Sequence, residues 1–133
     1  MRILIVDDQA MFRQGLRVLL RALRPEACCE ERAQPAEAEA ALAPDLLLLN
    51  LPVQGEDRPA GLRLLRQRFP RALLVALSSL PDAALRRAAL AAGADDFLPA
   101  DMDPAASLEA LQRLLDRVAT RDAALIGSTG HGH

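Results

Sequence analysis

The chain has 133 residues, 51% hydrophobic and only 2% aromatic, with a formal net charge of −2. That length suits a single domain with a core of Leu, Val, Ile and Ala, and the charge offers no global pull toward nucleic acid. Every basic side chain other than histidine is arginine, which excludes lysine-dependent chemistry.

In chain order, RILIV (Arg2 to Val6) is a short apolar run suited to a strand buried on both faces. AMFRQGLRVLLRAL (Ala10 to Leu23) carries apolar residues at helical spacing, and Pro25 stops it. The stripe Met11, Leu16 and Leu20 is expected to face the sheet, with partner contact as the alternative. EACCEERA (Glu26 to Ala33) is a more polar strand, expected near an edge. Its adjacent Cys28 and Cys29 would point to opposite faces and fit a reducing compartment.

PAEAEAALA (Pro35 to Ala43) is alanine-rich and opens with a proline suited to a first helical turn. DLLLLN (Asp45 to Asn50) is the most apolar strand. A loop rich in Pro, Gly and acid follows it. GLRLLRQRF (Gly61 to Phe69) is an amphipathic helix ended by Pro70, and ALLVALS (Ala72 to Ser78) is a strand. PDAALRRAALAAG (Pro81 to Gly93) opens with proline and closes with glycine, the asymmetry expected of a helix. DDFLP (Asp95 to Pro99) is a short strand, and PAASLEALQRLLDRVA (Pro104 to Ala119) is a last amphipathic helix.

Five strands and five helices in strict alternation predict a parallel α/β sheet with helices on both faces. Residues 1–120 form the domain, and 121–133 are expected to be a flexible linker or a non-native tail. The two terminal histidines in GSTGHGH would at most bind a metal weakly. No apolar run reaches the roughly 20 residues that span a membrane. MRILIVDD is too short and too early charged for a signal peptide, so a cytoplasmic protein is expected.

Ligands of such a sheet sit outside the carboxyl ends of the strands. The strands there deliver Asp7 and Asp8, Asn50, Ser78 and Ser79, and Leu98-Pro99-Ala100. Two adjacent acids suit a hard cation, although alone they read equally well as a turn that begins the first helix.

Taken together, ILIVDDQAMFRQGL, PDLLLLNLP, LLVALSS and AAGADDFLPA resemble the receiver domain of bacterial two-component response regulators. The closest likeness is to the subgroup that precedes a helix-turn-helix DNA-binding domain (NarL/LuxR-type). The resemblance runs from Met1 to Ala119 and implies the flavodoxin-like, CheY-like five-stranded fold. In that family an aspartate ending the third strand accepts a phosphoryl group, and an acidic pair holds Mg²⁺. A hydroxyl ending the fourth strand and a lysine after the fifth bind the phosphoryl oxygens, and an aromatic on the fifth strand turns inward. By position Asp7 and Asp8 match the acidic pair, Ser78 the hydroxyl and Phe97 the aromatic.

Two positions depart. Asn50 replaces the acceptor aspartate, and a neutral amide is no phosphoryl nucleophile. Ala100 replaces the lysine, a cation that would offset phosphoryl charge. Once Asn50 has lowered the negative charge the lysine is less needed, so the paired losses argue for natural degeneration rather than an engineered block. Ser78 is then expected to bond locally and Phe97 to keep one rotamer. The loop after Asn50 is longer than is usual in the family. Its Glu56 and Asp57 are expected to be solvated, with a substitute acceptor as the alternative.

The resemblance therefore implies a phosphorylation-independent pseudo-receiver, catalytically inert, needing no cofactor beyond a weak Mg²⁺. It would regulate a transcription factor by dimerisation or partner binding. The dimer face would be the fourth predicted helix, fifth strand and fifth predicted helix, with Arg86, Arg87, Asp95, Asp96, Glu109, Arg113, Asp116 and Arg117. A C-terminal DNA-binding domain is expected in the full-length protein, and no DNA binding by this chain alone. The alternatives are a small-molecule sensor, a residual phosphotransfer switch using a nearby acid, and a stand-alone adaptor.

Overall fold

The computed structural model describes residues 1–52, 55, 57–80, 82–100 and 103–131, with side chains as far as Arg121. The strands are β1 (Arg2–Val6), β2 (Cys28–Arg32), β3 (Leu46–Asn50), β4 (Leu73–Ser78) and β5 (Asp96–Pro99). The α-helices are α1 (Ala10–Leu23), α2 (Ala60–Arg68), α3 (Ala83–Ala91) and α4 (Pro104–His131). The sheet is parallel throughout, in the order β2-β1-β3-β4-β5.

The period of two along each strand sends alternate side chains to opposite faces, and here both faces are covered. Ile3, Ile5, Leu46, Leu48, Val75 and Leu77 pack with Leu16 and Leu20 of α1 and Leu111, Leu114, Leu115 and Val118 of α4. Leu4, Val6, Leu47, Leu49, Leu74 and Ala76 pack with Leu62 and Leu65 of α2, Leu85 and Ala89 of α3, and Phe97. Each fully buried leucine contributes about 1.5–3 kcal/mol. That is why a chain so poor in aromatic residues still closes two cores. β2 lies at the edge, with Cys28 exposed and Cys29 buried, on opposite faces as the sequence predicts.

Three expectations are corrected. The predicted helix at Pro35 to Ala43 is instead two 3-10 turns, Pro35–Glu37 and Ala40–Leu42. Arg68 of α2 donates to the carbonyls of Ala36 (3.3 Å) and Ala38 (2.6 Å), and Arg32 clasps Glu39 at 2.9 Å. The two Arg68 bonds occupy carbonyls that a helix would use internally, and so short a helix has little propensity of its own to resist them. The fourth and fifth predicted helices are thus α3 and α4.

Met11 is 87% exposed and stands apart from the buried Leu16 and Leu20. At about 3.6 residues per turn it lies roughly 180° around the helix from Leu20. Helical backbone also continues past the expected end at Ala119 to His131. Arg121 anchors this extension by donating to the Arg71 carbonyl at 2.8 Å. The His131 side chain and His133 lie outside the described residues, and the metal reading of the tail with them.

Local signals set the remaining ends. Pro81 lies outside the described residues, and Asp82 caps α3 by accepting from Leu85 N at 2.7 Å. Gly93, at φ 115°, turns the chain from α3 into β5. Beneath that turn, Arg66 of α2 donates to the carbonyls of Pro70 (3.1 Å), Ala72 (3.0 Å) and Gly93 (2.9 Å) and to Asp95 Oδ2 (2.7 Å). The same Asp95 oxygen accepts from Leu74 N at 2.9 Å. One guanidinium thus ties α2 to the starts of β4 and β5.

Candidate functional site

β1 and β3 pair in parallel, so Asp7 and Asn50 emerge side by side at the carboxyl end of the sheet. Asn50 Nδ2 donates to Asp7 Oδ2 at 3.1 Å. The other Asp7 oxygen, Oδ1, accepts from Gln9 N at 3.0 Å, and Arg13 of α1 donates to the Asp7 carbonyl. Asp7 is buried, and burial pushes its carboxyl above the ordinary value of 3.8. The neighbouring Asp8 acts in the same direction, while the Gln9 amide and Asn50 pull it back. Asp8 itself is exposed.

Asn50 Oδ1 is buried and has no hydrogen-bond partner among the described residues. It lies beside a hollow of about 230 Å³ lined by Asp7, Asp8, Asn50, Pro52, Asp57 and Arg58. Among the described residues no three His, Cys, Asp or Glu side chains converge. A cation held here would therefore rely on the Asn50 amide oxygen beside Asp7 and Asp8. This all-oxygen donor set fits a hard divalent ion such as Mg²⁺, with one charge fewer than three carboxylates would give.

Ser78, ending β4, is fully buried, and its hydroxyl accepts from Leu80 N at 3.2 Å, a local bond at the strand end. Phe97 is 4% exposed and packed into the core on the α2/α3 side. Ala100 stays close to β4, its N–H donating to the Ser78 carbonyl at 2.7 Å. It also lines a separate apolar hollow of about 490 Å³ between α1 and α4. The acidic hollow thus brings together Asp7, Asp8 and Asn50. Ser78 lies beside it, and Phe97 and Ala100 lie apart.

Two arginines complete the geometry without having been singled out by the sequence. Arg13 fastens the β1–α1 turn and pairs with Glu31 of β2 at 3.2 Å. Arg58, from the loop after β3, donates through Nε to the Pro52 carbonyl at 2.6 Å and through Nη2 to Ser78 Oγ at 3.4 Å. Asp57 is paired with Arg63 of α2, and Glu56 lies outside the described residues. On the face that the sequence suggests for dimerisation, Asp95 is held by Arg66 and Asp96 by Arg117 at 3.0 Å. Arg86, Arg87, Glu109 and Arg113 remain exposed, as does Leu90.

Comparison with known proteins agrees with this geometry. The family profile described as the response regulator receiver domain matches residues 3–112. The chain is 35% identical over 121 residues to the transcriptional activator protein ExaE of Pseudomonas putida, covering 86% of this chain and 55% of that protein. It is 31% identical over 105 residues to the transcriptional regulatory protein LnrK of Bacillus subtilis, covering 76% of this chain and 47% of that protein. The chain therefore spans about half the length of the curated relatives it matches. Among solved structures, a LuxR family DNA-binding response regulator from Silicibacter pomeroyi superposes with a TM-score of 0.72 at 31% identity. The match covers 86% of this chain and 91% of that one.

Proposed function

The chain belongs to the response regulator receiver domain family, and from that premise we propose that it is a phosphorylation-independent receiver that regulates transcription through dimerisation or partner binding. The observation that carries this reading is Asn50. It occupies the family's phospho-acceptor position and spends its amide protons on Asp7 rather than presenting a carboxylate to a phosphoryl donor. Ala100 stands where the family pattern has its lysine, the cation that would offset phosphoryl charge. Asp7, Asp8 and Asn50 Oδ1 would hold Mg²⁺ weakly, and the ion would supply charge balance at the strand ends rather than a phosphoryl-transfer step.

The relatives' greater length and their names as transcriptional regulators support a C-terminal DNA-binding domain in the full-length protein. The α3–β5–α4 face, with Arg86, Arg87, Glu109 and Arg113 exposed and Leu90 exposed on α3, supports a two-fold homodimer built on complementary charge. Among the described residues no helix is long and apolar enough to cross a membrane, which supports a cytoplasmic setting. A metabolite sensor is the weaker reading. The acidic hollow of about 230 Å³ is smaller than the roughly 300 Å³ at which ligand pockets usually begin.

The test is an amide NMR spectrum with Mg²⁺ alone and then with Mg²⁺ and beryllofluoride. The proposal expects only metal-induced shifts around Asp8 and Asn50. Joint movement of Ser78 and Phe97 with beryllofluoride would show a working phosphoryl switch and remove the proposal.

A further inference from the structure

The Arg58 guanidinium reaches from the loop after β3 to the buried hydroxyl that ends β4. Among the described residues both of its hydrogen-bond partners, Pro52 O and Ser78 Oγ, are neutral oxygens. Its sequence neighbour Asp57 is taken by Arg63. Among the described residues no carboxylate hydrogen-bonds the Arg58 guanidinium, and it lines the same hollow as Asp7 and Asp8. A rigid planar fork can hold oxygens on two different elements at once, which a single ammonium does poorly.

We infer that Arg58 is the tethered counter-ion of this pocket, a positioning residue that holds the Ser78 hydroxyl and stands off a divalent cation at Asp7 and Asp8. A tethered charge is present at every ion concentration, whereas a free metal must be bound from solution. The Ser78 hydroxyl and the turn after β4 are thereby held in one arrangement with no phosphoryl group. This rests on the reading that the pocket works without phosphoryl transfer.

Three variants separate charge from geometry: Arg58→Ala, Arg58→Lys and Arg58→Gln. Each is titrated with Mg²⁺ by amide NMR, with no phosphoryl mimic present. Removing the charge in Arg58→Ala is expected to tighten Mg²⁺ binding by roughly three- to tenfold and to move the Ser78 and Leu80 amide signals. Arg58→Lys is expected to keep the parent Mg²⁺ affinity while still moving Ser78 and Leu80. If the alanine variant does not fold, Arg58→Gln, which drops the charge and keeps hydrogen-bonding capacity, supplies the affinity comparison.

Unchanged Mg²⁺ affinity on loss of the charge overturns the inference, as does stationary Ser78 and Leu80 in Arg58→Ala. Absence of measurable Mg²⁺ binding in every form overturns it too. Because beryllofluoride plays no part, failure here is distinct from failure of the phosphorylation-independent reading, which shows in the parent protein's response to that mimic.

Discussion

The Asn50 side chain gives a proton to Asp7 and leaves its own buried oxygen without a donor. An unsatisfied buried acceptor costs about 1–3 kcal/mol, so the site holds an arrangement the chain could improve on. Asp7→Asn tests this. Its Oδ1 can still accept from Gln9 N; with the Asn50 amide turned over, its new amide donates to Asn50 Oδ1 in place of the bond Asn50 now gives, and the buried charge of Asp7 is removed. A gain of about 1 kcal/mol at pH 7 is expected in urea unfolding with chelator present. The pH dependence follows from the raised Asp7 carboxyl. The folded chain holds this proton more tightly than the unfolded chain does. Asp7's contribution is therefore full below its unfolded value and is lost as pH rises through its folded value. The variant should flatten that part of the stability–pH curve. If it is no more stable than the parent at pH 7 and shows the same slope, the account of Asp7 and Asn50 is wrong.

At the scale of elements, the absent helix at residues 35–43 is informative. A Cβ on Gly61 would lie 2.9 Å from Pro35 Cγ and 3.2 Å from Leu49 Cδ2, so α2 starts in near contact with the first 3-10 turn. Gly61→Ala is expected to destabilise the fold by about 1–2 kcal/mol despite alanine's better helix propensity. A stabilised variant would show that the turn yields freely. The sequence made this segment look helical because its alanines and Pro35 are local signals. What decides against the helix is Arg68, far along the chain, which takes the Ala36 and Ala38 carbonyls. Arg58 escaped notice for the same reason: its loop has no period, and Ser78 is 20 positions away. Asp7, Asp8, Asn50 and Ser78 were legible because each ends a strand, and a parallel sheet gathers its strand ends.

For the whole molecule, the order of apolar runs was enough to specify a sheet covered on both faces. Five strand-length runs, all but the first set off by Pro or Gly, left few other ways to bury so much leucine. The run past Ala119 was harder to read, because the Arg121 bond to the Arg71 carbonyl that anchors it joins residues 50 positions apart. Stability should nonetheless be uneven across the sheet. Leu74 and Asp95 are bonded to each other, and Asp95 to Arg66, whereas the turn after β4 at Leu80 is held by the Ser78 hydroxyl, itself touched only at long range by Arg58. Amide hydrogen exchange should be slowest at Leu74 and Asp95 and faster at Leu80. Equal protection at both ends would contradict this.

The Arg66 cluster also bears on how a receiver of this kind transmits anything. A beam clamped at one end moves only at the other, and Arg66 clamps β4 and β5 where they begin. The pocket sits at the other end, where β4 runs toward α3 and β5 toward α4 and the two tips are joined by the Ala100 N–H to the Ser78 carbonyl. The base of the cantilever lies at the opposite end of the sheet from the pocket, so under the proposed function the outlet is the flank formed by α3, β5 and α4.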